Sequence, residues 1–235
     1  MASIKDALVE SIQEDFAVIK YVIFTFPLFY TINLFSSQNK SSNIVLITVL
    51  TVIFLFGLML KTTRNVRCEK LKVLPSFNIF KILWAGFKGL IALAPLLIGG
   101  YFLDKFLVNL LNNFALPDNI VSFFTWAIYL ICLSFAFTGY VLYSRNFKIL
   151  DTYNFKYISK YCIDILIEVF FMLVKLVFVD ALIILPVTYL LWLFFGIPSP
   201  VAIFFWSMVF VLNIVMIGHY IAQMEYEKIT EKRED

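Results

Sequence analysis

Residues 120–143 read "IVSFFTWAIYLICLSFAFTGYVLY", 24 residues without one Asp, Glu, Lys or Arg. A bilayer core about 30 Å thick is crossed by a helix of about 20 apolar residues. Backbone groups in hydrocarbon must be paired internally, which leaves helices or closed barrels. A barrel strand alternates apolar and polar residues. This run is apolar on every side, so it reads as a membrane-spanning helix. Val45 to Leu60 and Val201 to Gly218 are free of charge in the same way.

Composition extends that reading to the whole chain. Of 235 residues, 62% are hydrophobic and 15% charged, and the mean hydropathy is +0.90. A soluble domain is nearer half apolar and a quarter charged. The expected fold is all-α: a polytopic membrane protein with six transmembrane helices at approximately 17–35, 43–60, 84–108, 120–143, 174–195 and 201–222. They form one transmembrane domain of helical hairpins, with units near 1–64, 76–145 and 152–226 and a charged tail at 225–235.

Lys and Arg orient the spans, because cytoplasmic loops retain positive charge. Lys61, Arg64, Arg67, Lys70, Lys72 and Lys81 follow span two. Arg145, Lys148, Lys156 and Lys160 follow span four, and Lys228, Lys232 and Arg233 end the chain. Lys40 and Lys105 stand alone in the opposite connections. Both termini are expected in the cytoplasm, with the protein in the inner cell membrane. The basic 61–72 segment has few aromatics and no recognised module, so it does not indicate nucleic acid. Topology explains it, with attraction to anionic headgroups in addition. The bilayer is the expected partner, and other membrane proteins are admissible ones.

The first residues do not resemble a signal peptide, since Asp6, Glu10 and Glu14 oppose a single Lys5. Ile4, Leu8, Ile12, Phe16 and Ile19 form a helical stripe instead. They suggest an amphipathic helix on the membrane surface.

"FALPDNIVSFFTW" (114–126) and "FGIPSPVAIFFW" (195–206) are alike, each a Pro turn followed by Phe-Phe and a Trp. Asp104 and Asp180 each lie 26 residues after Asn78 and Asn154. Pro27, Pro95 and Pro186 fall in spans one, three and five; spans two, four and six have no internal Pro. The pattern reads as parallel hairpin repeats, with bent first helices. Residues 76–88 and 152–168 lead into spans three and five. Their Lys81, Lys88, Lys156 and Lys160 alternate with rings, as in helices along the inner membrane face. These four lysines are candidate headgroup contacts; the plainer reading is anchoring.

Ionisable residues within a span are the default candidates for a substrate or ion site. Here, in the odd spans or the segments entering them, they are Asp180, Glu168, Lys175, Asp104 and Lys88. At 100° per residue Glu168 and Lys175 share a face, and Asp180 points elsewhere. The bland alternative for Asp180 is an acid bonded to Asn213, Thr188 or a lysine, and for Asp104 an interfacial position. His219, the only histidine, shares a face with Gln223 and reads as interfacial. Asn213 reads as interhelical glue. Cys68, Cys132 and Cys162 have no metal spacing, so no metal and no cofactor is expected.

Ser76-Phe77-Asn78, Leu116-Pro117-Asp118, the 152–160 segment, and Gly218-His219-Tyr220 with Gln223 carry a resemblance. The chain resembles, over roughly residues 76–226, a prokaryotic group of multi-span membrane proteins of unknown function. It is also similar to the membrane region of some glycerophosphodiester phosphodiesterases. That group has no assigned active residues, so the resemblance implies none here, and the soluble phosphodiesterase domain has no counterpart among these residues. The functional expectation is a non-catalytic accessory, lipid-interacting or assembly component. The alternative is a small transporter or proton pathway through Asp180.

Overall fold

The computed structural model describes residues 3–36, 43–68, 73–113, 117–196 and 199–227. Among them are seven α-helices and no strand. In chain order they are α1 Ile4–Gln13, α2 Ala17–Ser36, α3 Asn43–Arg67, α4 Ile79–Asn113, α5 Asp118–Asn146, α6 Phe155–Phe195 and α7 Pro200–Glu225; a 3-10 turn, Ile149–Tyr153, joins α5 to α6. Helices α2 to α7 are six elements long and apolar enough to cross a membrane. The charged tail from residue 228 onward lies outside the described residues.

Two expectations about helix boundaries are corrected. The lead-in segments are not separate surface helices; each is continuous with the span that follows. No Gly or Pro occurs between Phe155 and Leu185 to interrupt the ladder. The result is a single helix of 41 residues, which at 1.5 Å per residue is about 61 Å long. The surface helix at the start is also shorter than its stripe. Ser3 caps α1, its Oγ accepting from the Asp6 N–H at 3.2 Å. The helix then stops at Gln13, and Phe16 takes a left-handed φ of 62° before α2 begins. Ile12 already faces outward within α1, and the break turns Phe16 and Ile19 away as well. Ile4 and Ala7 are buried, while Ile12, Phe16 and Ile19 are exposed. The buried face packs on α7, α2 and α6.

The six long helices close a ring in which α3 meets α4, α4 meets α5, α5 meets α6, α6 meets α7, α7 meets α2 and α2 meets α3. α3 and α7 also pack extensively on each other. Pro27, Pro95 and Pro186 lie inside α2, α4 and α6, and these three helices make at most sparse mutual contact.

Lipid tails are as apolar as Leu, so close packing and interhelical hydrogen bonds must hold such a bundle. Both are present. At the α3–α4 crossing a Cβ on Gly57 would lie 2.0 Å from the Ile82 carbonyl oxygen, and one on Gly86 would lie 1.9 Å from that of Ile53. Only glycine lets the backbones approach this far. Between α3 and α7, the Thr63 hydroxyl is 2.9 Å from the carbonyls of both Met59 and Gly218, sharing one proton between them. Between α2 and α3, the Thr31 hydroxyl donates to the Pro27 carbonyl at 2.8 Å and also meets the Thr51 hydroxyl at 2.8 Å.

The buried core is concentrated toward the end of the bundle that carries Arg64, Arg67 and Lys81, called here the basic end. Leu60, Tyr140, Tyr143, Ile158, Tyr161, Met216, Tyr220 and Met224 are buried there. Toward the hairpin turns, Phe102, Phe106, Phe123, Trp126, Leu182 and Trp192 are exposed.

Candidate functional site

The Gly57–Gly86 crossing sets the register of antiparallel α3 and α4. One to two turns beyond it on the basic side, α3 presents Lys61 and Arg64 and α4 presents Lys81, while Trp84 and Lys88 flank Gly86 itself. Tyr143 and Phe147, at the end of α5, complete a pocket of about 280 Å³. Four of its nine lining residues are cationic, and none of the described ones is acidic. Two of the cations are held by rings. The Arg64 guanidinium lies 5.3 Å from the Phe147 ring centre, and the Lys88 ammonium 5.1 Å from that of Trp84. Both are within the roughly 6 Å at which a ring's negative face attracts a cation. Phe147 reaches its place by ending α5 in the left-handed conformation, φ 54°, with its N–H bonded to the Tyr143 carbonyl at 2.7 Å. Leu60, the last residue of a charge-free run, forms the inner wall. The pocket therefore sits at the boundary between apolar span and charged segment.

The sequence groups Lys81 and Lys88 with Lys156 and Lys160 as one set of headgroup contacts. The fold separates them. Lys156 and Lys160 are exposed on α6, Lys160 lying 5.0 Å from the Tyr161 ring centre, and neither lines the pocket. Lys61 and Arg64 join it instead. Sequence reading gave that pair to topology, with a general attraction to anionic headgroups, and did not join it to α4, because its approach depends on the glycine crossing. Tyr143 and Phe147 carried no sequence signal.

Each intramembrane acid has a definite place. Asp180 accepts from the Asn213 side-chain N–H at 2.7 Å across α6 and α7, one of the partners expected in the bland reading. Glu168 and Lys175 do share a face, and both converge on Tyr220 of α7. The Tyr220 hydroxyl donates to Glu168 at 3.1 Å, and the Lys175 ammonium lies 5.9 Å from the ring centre. Lys175 also borders an open cleft with Lys5 and Phe178. Asp104 lies in a cleft of about 230 Å³ between α4 and α5, beside Gly100, Tyr129, Cys132 and Leu133. Its Oδ1 is buried without a hydrogen-bond partner. Trp126 and Trp206, like Tyr140 and Tyr220, are 80 positions apart. On that offset Leu133 corresponds to Asn213, so Asp104 and Asp180 face matching positions on the next helix. The second unit lacks the amide.

His219 and Gln223 are covered by protein. His219 is 1% exposed, its Nε2 lies 2.8 Å from Glu10 Oε2, and Gln223 Oε1 accepts from the Ser3 N–H at 2.8 Å. Docked α1 covers both, and nothing in the α7 pattern marks a partner over 200 residues away. Two further ion pairs stitch this end. Glu14 holds Lys20 and accepts from the Leu74 N–H at 2.7 Å. Arg67 pairs with the buried Glu225 at 3.0 Å. Among the described residues, no three His, Cys, Asp or Glu side chains come together as a metal ion would need.

No family model, curated protein or solved structure matches this chain.

Proposed function

We propose that the chain is a non-catalytic, lipid-interacting component of the inner cell membrane, with both termini cytoplasmic, that holds an anionic headgroup at its basic end. One observation carries this reading. Lys61, Arg64, Lys81 and Lys88 line a single pocket at the edge of the apolar spans, beside Trp84 and Tyr143. Basic pockets between helices on the cytoplasmic side suit anionic headgroups. Trp and Tyr favour headgroup depth. Arg64 adds a planar fork that can hold a phosphate at two points. The inference about topology rests on the same charges, which gather at one end of the bundle.

Native mass spectrometry from mild detergent tests the reading. The protein should retain anionic phospholipid, and Lys81→Ala with Lys88→Ala should cut retention at least tenfold. Equal retention by that variant, or none by the parent protein, would overturn it. The orphaned Asp104 oxygen in its cleft favours a second reading, a pathway for protons or small cations along the paired acid positions Asp104 and Asp180. In proteoliposomes of the same preparation, Asp180→Asn should then abolish proton or cation flux. Flux that is absent in the parent protein, or unchanged in the variant, removes this second reading.

A further inference from the structure

Resting on the lipid-binding reading, we infer that the pocket between α3, α4 and α5 selects a doubly charged phosphate group, a phosphomonoester or pyrophosphate, over a singly charged phosphodiester. Charge is the first argument. Four cationic side chains border about 280 Å³, a space only about 8 Å across, so they lie within a Debye length of one another. A phosphodiester brings one negative charge to a site where Arg64, Lys81 and Lys88 alone carry three positive ones. A zwitterionic headgroup adds an ammonium and restores the repulsion. A terminal phosphate brings two charges.

Donor geometry is the second argument. A terminal phosphate offers three acceptor oxygens, whereas a diester has two free ones. The surrounding donors come from two sides, Arg64 on α3 and Lys81 and Lys88 on α4, with Tyr143 of α5 closing the third. Rings behind Arg64 and Lys88 limit how far these cations can swing away from a ligand. Size is the third. The volume lies just under the roughly 300–1,000 Å³ of sites for drug-sized ligands. A phosphate head fits within it.

The full-length protein in phosphatidylcholine nanodiscs provides the test. Phosphatidic acid and phosphatidylglycerol are titrated separately, with inorganic phosphate and pyrophosphate as soluble competitors. Phosphatidic acid should bind at least tenfold more tightly than phosphatidylglycerol. Its affinity alone should rise between pH 5 and 7.5, as its second ionisation near about 6 completes. Arg64→Lys, which keeps the charge but loses the fork, should narrow the preference while the bundle stays folded. Equal binding of the two lipids overturns this inference and leaves the lipid-binding reading standing. Failure of both lipids overturns both. Displacement of phosphatidic acid by micromolar pyrophosphate would support the doubly charged class and assign it to a soluble ligand, against the lipid reading.

Discussion

Phe147 is the residue on which the basic pocket turns. Its left-handed backbone, φ 54°, costs a non-glycine residue roughly 1–2 kcal/mol. It places the ring under Arg64 and against Tyr143, ring centres 5.7 Å apart. Gly at this position would release the backbone strain and lose the ring contacts, worth roughly 0.5–1.5 kcal/mol each. Phe147→Gly should therefore change thermal stability by no more than about 2 kcal/mol while weakening anionic-lipid retention severalfold. A large loss of stability with unchanged retention would show that the ring supports the fold rather than the pocket. Residue-scale legibility follows charge. Lys81 and Lys88 were visible because they repeat on one helical face, and the Asp180–Asn213 bond was among the partners the sequence offered. Phe147 was not visible, because a left-handed helix end of this kind has no glycine to announce it.

At the scale of elements, the α3–α4 crossing controls most of what the site needs. Each of Gly57 and Gly86 faces carbonyl oxygen at about half of normal van der Waals separation for an added Cβ. Gly57→Ala or Gly86→Ala must push the two helices apart, and overpacking of this kind costs about 1–3 kcal/mol or more. Both should lower the unfolding midpoint in denaturant and weaken headgroup binding together, since Lys61 and Arg64 separate from Lys81 and Lys88. Gly99→Ala, whose Cβ would meet nothing within 4 Å, serves as the control. Comparable losses in all three would refute the crossing as the cause. Hydrophobic runs are legible in sequence because each one alone satisfies the bilayer. The continuity of α4 and α6 with their lead-ins was less so, since charge and ring periodicity look the same on a surface helix and on the projecting end of a span. The docking of α1 was hidden for a different reason. Its hydrophobic stripe suits a lipid surface or a protein groove equally, and Glu10 finds His219 only after the bundle has formed.

For the whole molecule, burial is unequal along the bundle axis. At the basic end, large side chains pack into two joined clusters, reinforced by Arg67–Glu225 and Glu14–Lys20. Toward the turns, Trp126 and Trp192 are 68% and 57% exposed, and α5 and α7 touch only sparsely. In a bilayer, those rings should lie among acyl chains. Single-tryptophan variants retaining Trp126 or Trp192 should be strongly quenched by brominated lipids. Protection of both from quenching would mean that another protein surface covers this region. Six spans and their Pro classes could be read from the sequence, because composition and local pattern decide them. The unequal packing could not, since it depends on which helices meet across the ring.

Ion pairs clamp the basic end of the bundle, whereas the half toward the hairpin turns, joined by the neutral Thr31–Thr51 and Trp206–Thr188 hydrogen bonds, leans more on its surroundings. The lateral pressure exerted by the acyl chains then helps to set the spacing between the hairpin tips. Thinner or more fluid bilayers should let those tips spread, while the basic end keeps its shape. A protein built in this way is stiff at its basic end and compliant at its hairpin tips, so the bilayer's own mechanical state becomes part of its tertiary structure.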